Sequence, residues 1–204
     1  MELNEIKSKI KKVTPRPMDD DLRFSVLVPL IEIEGELHII YEVRSKYVKQ
    51  PGEVSFPGGK IEENESPQYA AVRETCEELG IDESRVEIIS ELDYATSKSG
   101  SFVYTFLGHI KNVDLQRIEF NRDEVDKLFF VPFSFFLNNE PEKYYMNYLP
   151  KADDDFPYHM VNNGEKYDWE SIRYPVYFYD YKGHIIWGLT AKVTYNLIRK
   201  LKYN

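Results

Sequence analysis

The sequence predicts a mixed α/β domain, and three observations carry that expectation. Runs rich in apolar, β-branched and aromatic residues at 24–33, 37–43, 102–110 and 128–131 read as strands. Residues 66–80 hold the start and stop signals of a helix of about four turns, and apolar residues recur at 193, 197 and 201 with helical spacing. A chain of 204 residues is also long enough to bury a core as one domain, 1–204.

At the N-terminus, Ile6, Ile10 and Val13 fall on one helical face, so an arm of residues 1–21 is expected to hold a short amphipathic helix that caps the domain and stops at Pro15 and Pro17. Residues 24–33 form a strand, Glu34-Gly35 a turn, and 37–43 the hairpin partner, with Arg44 at its end. A polar loop, 45–55, carries Lys46 and Lys49 and leads to Phe56-Pro57-Gly58-Gly59 and Lys60. Ser66 suits a helix N-cap, Pro67 the first helical position and Gly80 the residue past the last turn. Residues 86–95 and 102–110 follow as strands around a flexible turn at 96–101, and the polar, acidic segment 121–125 precedes a strand at 128–131. Pro132 opens a short Phe-rich helix to Leu137. The insertion 138–175 is rich in tyrosine and acid, and its Asp153-Asp154-Asp155 reads as a solvated turn. Residues 176–187 form a hairpin turning at Lys182-Gly183, and Thr190 caps a last helix that faces the core with Val193, Leu197 and Leu201.

Charge narrows the function. With 35 acidic against 26 basic residues the net charge is −9, which argues against general nucleic-acid or anionic-membrane binding. A phosphate-rich substrate would meet a repulsive average field, so its site must supply a metal and local Lys or Arg. The single cysteine, Cys76, rules out an internal disulfide, fits a reducing compartment and reads as a packing residue. No long apolar run suggests a membrane span or secretion signal.

Chemistry concentrates on the 66–80 helix. Glu74 and Glu78 are four residues apart and Glu77 lies beside them, so three carboxylates crowd one turn. Like charges at that spacing cost about 0.2–0.5 kcal/mol per pair, and the last turn of a helix also disfavours anions. Local energetics alone would not choose this arrangement, although a solvated acidic face is the ordinary outcome of such a cluster. Gly58 and Gly59 precede it as a loop that can bring backbone close to a ligand, and Arg73 sits among the acids as a partner. A hard cation such as Mg²⁺ takes oxygen ligands from one or two carboxylates, waters and substrate phosphates, which is what this pattern offers.

Gly59, Glu65, Arg73, Glu74, Glu77, Glu78, Gly80 and Ile81 stand at the spacing of the Nudix box, and the chain closely resembles that hydrolase superfamily. Thr75 is the one departure, where an apolar residue is usual. Arg44-Ser45, Gly52 and Phe56-Pro57-Gly58-Gly59 are similar to the further signature of its coenzyme A diphosphatases, with Lys49 in place of the usual arginine and one residue closer to Gly52 than the pattern has it. The resemblance implies an α/β/α sandwich with a mixed sheet, a short N-terminal and a C-terminal helix, and Mg²⁺- or Mn²⁺-dependent hydrolysis of coenzyme A or its thioesters to 3′,5′-ADP and 4′-phosphopantetheine. It assigns metal binding to Glu74, Glu78 and Glu77, catalysis to Glu77, Glu124 and Arg73, and substrate contacts to Arg44, Lys49, Gly58 and Gly59, while Lys60 is near enough in sequence to bring further positive charge to a diphosphate. Glu77 and Glu124 remain rivals as the base. Another nucleoside diphosphate derivative, such as ADP-ribose, a dinucleotide or a nucleotide sugar, would need the same box. A catalytically silent binding module would have lost acids that are all present here. The tyrosine-rich insertion either walls the adenine and pantetheine or packs on the domain or a second subunit, as in a homodimer. The terminal Lys202-Tyr203-Asn204 is not the peroxisomal Ser-Lys-Leu address, so a cytoplasmic protein is expected.

Overall fold

The computed structural model describes residues 2–11, 13, 23–96, 101–115 and 118–203. In chain order the elements are α1 (Leu3–Ile10), β1 (Arg23–Ile33), β2 (Glu36–Arg44), β3 (Val54–Ser55), β4 (Gly58–Lys60), α2 (Pro67–Leu79), β5 (Val86–Glu91), β6 (Ala95–Thr96), β7 (Phe102–Ile110), β8 (Val125–Pro132), α3 (Phe133–Asn138), β9 (Glu142–Tyr148), β10 (Ile172–Tyr181), β11 (His184–Trp187) and α4 (Gly188–Tyr203). The fold is of the expected α/β class, with helices towards both ends of the chain. Two compact units are distinguished, Met1–Pro29 with Pro57–Asn121 and Leu30–Phe56 with Arg122–Asn204.

The first unit is built around α2. Ser66 is extended and its hydroxyl accepts the Tyr69 N–H at 3.2 Å, Pro67 begins the helix, and Gly80 ends it with a left-handed φ of 63°. Beside α2, Phe24, Ser25 and Val26 of β1 pair antiparallel with Lys60, Gly59 and Gly58 of β4. The Ser25 hydroxyl donates to the Pro67 carbonyl at 2.6 Å, tying β1 to the start of the helix. β5 and β6 both pair antiparallel with β7. Leu27, Val28, Ala70, Ala71, Leu79, Val103 and Phe106 form the buried interior of this unit.

In the second unit the β1–β2 hairpin turns at Glu34 and Gly35, both with positive φ (52° and 83°), the handedness that two-residue hairpins require. β2 pairs antiparallel with β3 and with β8. Tyr41 of β2 is wholly buried, stacks at 5.0 Å on Phe56 and 5.5 Å on Phe129, and bonds the Thr194 hydroxyl of α4 at 2.8 Å. β9, β10 and β11 make a separate three-stranded sheet in the order β11-β10-β9. Its β10–β11 hairpin turns at Lys182-Gly183 as expected.

The structure corrects several expectations. Within the insertion, for which no strand was predicted, residues 142–148 form β9, paired with β10 along its full length. The strand expected at 86–95 is two short ones broken at 92–94, and β8 starts at Val125, three residues before the predicted strand. α1 forms but buries no residue, so its apolar face caps nothing among the described residues. Thr190 lies inside α4, and its hydroxyl donates to the Val54 carbonyl at 3.1 Å instead of capping the helix. Val193 and Leu197 are buried, whereas Leu201 is exposed. Pro15, Pro17 and most of the turn expected at 96–101 lie outside the described residues.

Candidate active site

The box acids meet the glycine loop within the first unit. Glu78 is buried, and its Oε2 accepts the Gly58 N–H at 2.8 Å. Glu74 lies under Gly59, where an ideal Cβ would fall within 2.6 Å of Cδ, Oε1 and Oε2 of its carboxylate. A side chain at Gly58, whose φ is 150°, would instead run into the Ser25 carbonyl oxygen and the Val26 Cα. The two glycines therefore do different work. Gly58 lets β4 lie flat on β1, and Gly59 makes room for a carboxylate. The end of α2 is fixed by the Asn121 N–H, which donates to the Glu78 carbonyl at 2.9 Å.

Arg73 explains how like charges share one turn. Its Nε and Nη2 donate to the two oxygens of Glu65 at 2.8 and 3.2 Å, a forked pair. Nη2 also lies 3.0 Å from Glu74 Oε1, and Nη1 lies 3.1 Å from Glu77 Oε2. One guanidinium thus serves three carboxylates. Its hydrogen bond to Glu65 is the first reason that it holds its proton even more firmly than a free arginine, with the Glu74 charge adding to it. The same bond holds the Glu65 carboxyl below its ordinary range. Glu65, one of the fixed box positions, is in this way the anchor of Arg73.

A divalent cation fits this donor set. Glu74 and Glu78 present hard oxygens from one helical face, and the missing Cβ of Gly59 is what lets the Glu74 carboxylate lie there. Among the described residues, no group of three or more His, Cys, Asp and Glu side chains converges as a complete cage. A Mg²⁺-type site uses one or two carboxylates and completes its shell with water and substrate phosphate. Glu77 is 55% exposed at its side chain and leans on Arg73, so it differs from the buried Glu78.

The candidate substrate residues divide between the units. Gly58, Gly59 and Lys60 share β4, with Lys60 exposed and its carbonyl accepting from Arg73 at 3.3 Å. Arg44 and Lys49 belong to the second unit. There the Arg44 Nε donates to the Lys49 carbonyl at 2.8 Å, and backbone bonds join Arg44 to Glu53 and Gly52. Arg44 thus closes the loop 45–53, while Lys49 is exposed. Glu124 is half-buried just before β8. A cleft of about 440 Å³ opens in the same unit between Val43, Gly52, Val54, Lys127, His184 and Trp187.

Sequence reasoning missed Glu42, a carboxylate only 1% exposed that accepts the Ser55 hydroxyl at 2.8 Å and lies 4.0 Å from Arg44. No signal marked it, because β2 is buried on both faces and shows no alternation. Burial first, and then the nearby acids, push the Cys76 thiol up to about 11, away from the thiolate form.

A family model described as the NUDIX domain matches residues 21–148. The peroxisomal coenzyme A diphosphatase NUDT7 of Mus musculus is 38% identical over 140 residues, covering 67% of this chain and 57% of the relative. Mitochondrial Nudix hydrolase 15 of Arabidopsis thaliana is 30% identical over 194 residues, covering 90% and 61%. The mitochondrial coenzyme A diphosphatase NUDT8 of Mus musculus is 28% identical over 188 residues, covering 91% and 80%. The chain thus spans less than two thirds of the length of the first two relatives.

Proposed function

The chain belongs to the Nudix family, and from that premise we propose that it is a hydrolase that cleaves the diphosphate bond of coenzyme A or its acyl thioesters, with Mg²⁺ or Mn²⁺, giving 3′,5′-ADP and 4′-phosphopantetheine or its acyl derivative. The observation that carries the reading is the seat formed by Gly58 and Gly59 against Glu78 and Glu74. Two things support the substrate: relatives of that name, and the Arg44-Ser45 and FPGG residues. Exposed Lys60, next to Gly59 in β4, adds a basic side chain to a chain whose net charge is −9.

In this reading Glu74 and Glu78 hold the cation, which when bound neutralises the diphosphate and acidifies a water molecule. Water oxygen attacks one phosphorus, the bridging P–O bond breaks, and the water proton passes to Glu77 or Glu124. Arg73 keeps Glu74 and Glu77 oriented while Glu65 anchors it. Arg44, Lys49 and Lys60 meet substrate phosphates. Among the described residues no helix is long and apolar enough to cross a membrane, and the lone cysteine fits a reducing compartment such as the cytoplasm.

Purified protein with Mg²⁺ is offered coenzyme A, an acyl-coenzyme A, ADP-ribose, a dinucleotide and a nucleotide sugar, and the products are separated by chromatography. The expected result is 3′,5′-ADP from coenzyme A or its thioester at the highest kcat/KM. Equal or faster turnover of ADP-ribose would overturn the substrate assignment.

A further inference from the structure

We propose that Ser45 is a positioning residue for hydrolysis: it fixes the backbone from which Glu124 presents its carboxylate. The inference rests on the hydrolase reading above and assigns the base role to Glu124. Ser45 is 3% exposed at the end of β2. Its N–H donates to the Glu124 carbonyl at 2.8 Å, and its hydroxyl donates to the Asp123 carbonyl at 2.5 Å. The same hydroxyl accepts the Tyr47 N–H at 3.1 Å. One buried side chain and its amide therefore bind consecutive carbonyls 78 and 79 residues away in sequence and the start of the 45–53 loop at once.

The regular ladder does not do this work. β2 and β8 are in register up to Val43 opposite Lys127, but the next pair is Arg44 opposite Val125, so Asp126 is passed over in a bulge. Bulges end regular pairing and re-aim the chain, often beside active sites. Beyond this one, the position of Glu124 is set by Ser45. Arg44 meanwhile holds the other side of the loop through the Lys49 carbonyl at 2.8 Å. The neighbouring residues thus divide the labour, and Ser45 faces protein, not solvent.

Glu124 itself is unlike the acids of α2. Glu65, Glu74 and Glu77 are engaged by Arg73, whereas the half-buried Glu124 carboxylate makes no hydrogen bond or ion pair with any described residue. A fixed backbone with an uncommitted carboxylate is what a proton acceptor needs, since its geometry must be held while its oxygens stay available to water.

The test is a double-mutant cycle on whichever diphosphate of the substrate panel the protein turns over fastest. Ser45→Ala is expected to lower kcat on the order of 10- to 100-fold with KM changed less than about 3-fold, the scale of a displacement of about 1 Å at a reacting group. Ser45→Thr, which restores the hydroxyl, should recover most of it. Glu124→Gln should lose at least as much as Ser45→Ala, and the double variant should be no slower than Glu124→Gln alone, because a residue acting through another has nothing left to position. Parent kcat in either single variant, a change in KM alone, or a double variant that loses the product of both effects would each overturn the proposal. Near-UV circular dichroism checks folding. If Ser45→Ala does not fold, Ser45→Cys, close in shape with a weaker donor, carries the same comparison. If coenzyme A fails but another diphosphate is hydrolysed, only the substrate assignment falls. If coenzyme A is hydrolysed and Glu124→Gln is unaffected, only the Ser45 proposal falls. If nothing on the panel is hydrolysed, both fall.

Discussion

Replacing Gly59 by alanine places one carbon where the Glu74 carboxylate now lies. The new atom would fall within 2.6 Å of Cδ, Oε1 and Oε2, and ordinary contact begins near 3.4 Å, so the carboxylate must retreat by about 1 Å. That retreat stretches the 3.0 Å ion pair with Arg73. The stability lost should be small, about 1 kcal/mol or less, because the pair is partly solvated and Gly59 is not in the left-handed region. The rate lost should be large. A misplacement of about 1 Å at a catalytic group costs on the order of 10²-fold, or about 2.7 kcal/mol in activation free energy. Gly58→Ala is the contrast: its Cβ would lie 2.6 Å from the Val26 Cα at a φ of 150°, and β1 backbone cannot step aside. That variant should lose roughly 2–4 kcal/mol of stability. Urea midpoints and kcat measured on both variants check the contrast. A Gly59→Ala protein that keeps its rate within about 3-fold, or that is as unstable as Gly58→Ala, would refute the idea that this glycine exists to seat a carboxylate.

Arg73→Lys keeps the charge but loses the fork that reaches Glu65, Glu74 and Glu77 together. It should cost about 1–3 kcal/mol by denaturant unfolding and on the order of 10-fold in kcat, and parent values for both would contradict the role given to it. Acid should act through Glu65. Because Arg73 depresses its pKa in the folded state, the unfolded chain binds more protons, so its contribution to stability is full above the ordinary carboxylate range of about 4.3 and is lost as pH falls through the lower folded value. Urea midpoints followed from pH 7 into acid should fall less steeply for Glu65→Gln than for the parent. Identical slopes would contradict it.

What could be read in advance was local. α2 has the bounds its sequence announces because Ser66, Pro67 and Gly80 act within a turn of themselves. Both hairpin turns, at Glu34-Gly35 and Lys182-Gly183, are likewise marked by a glycine that accepts positive φ. The box acids and the glycines were found by spacing, but the forked clasp of Arg73 on Glu65 reaches eight residues back, from within α2 to the residue before its N-cap, and had no periodic signature. β9 was missed because most of its side chains are exposed, so no alternation marks it, and it is a strand only through its pairing with β10. α1 and the last turn of α4 show the reverse case, in which an amphipathic period continues without a surface to bury it, leaving Ile6, Ile10 and Leu201 exposed. The Ser45 link to Asp123 and Glu124 depends on a bulge between strands distant in sequence and could not be read from either segment alone.

The central claim is that carboxylates on one turn of α2, seated by Gly58 and Gly59, carry metal-dependent hydrolysis. It is tested most directly by titrating Mg²⁺ into the parent and Glu78→Gln proteins with coenzyme A and quantifying 3′,5′-ADP. Turnover that rises with Mg²⁺ in the parent and falls by at least about 10³-fold in a folded Glu78→Gln protein is the predicted result. A Glu78→Gln protein that hydrolyses coenzyme A at the parent rate, with the same Mg²⁺ dependence, would contradict it.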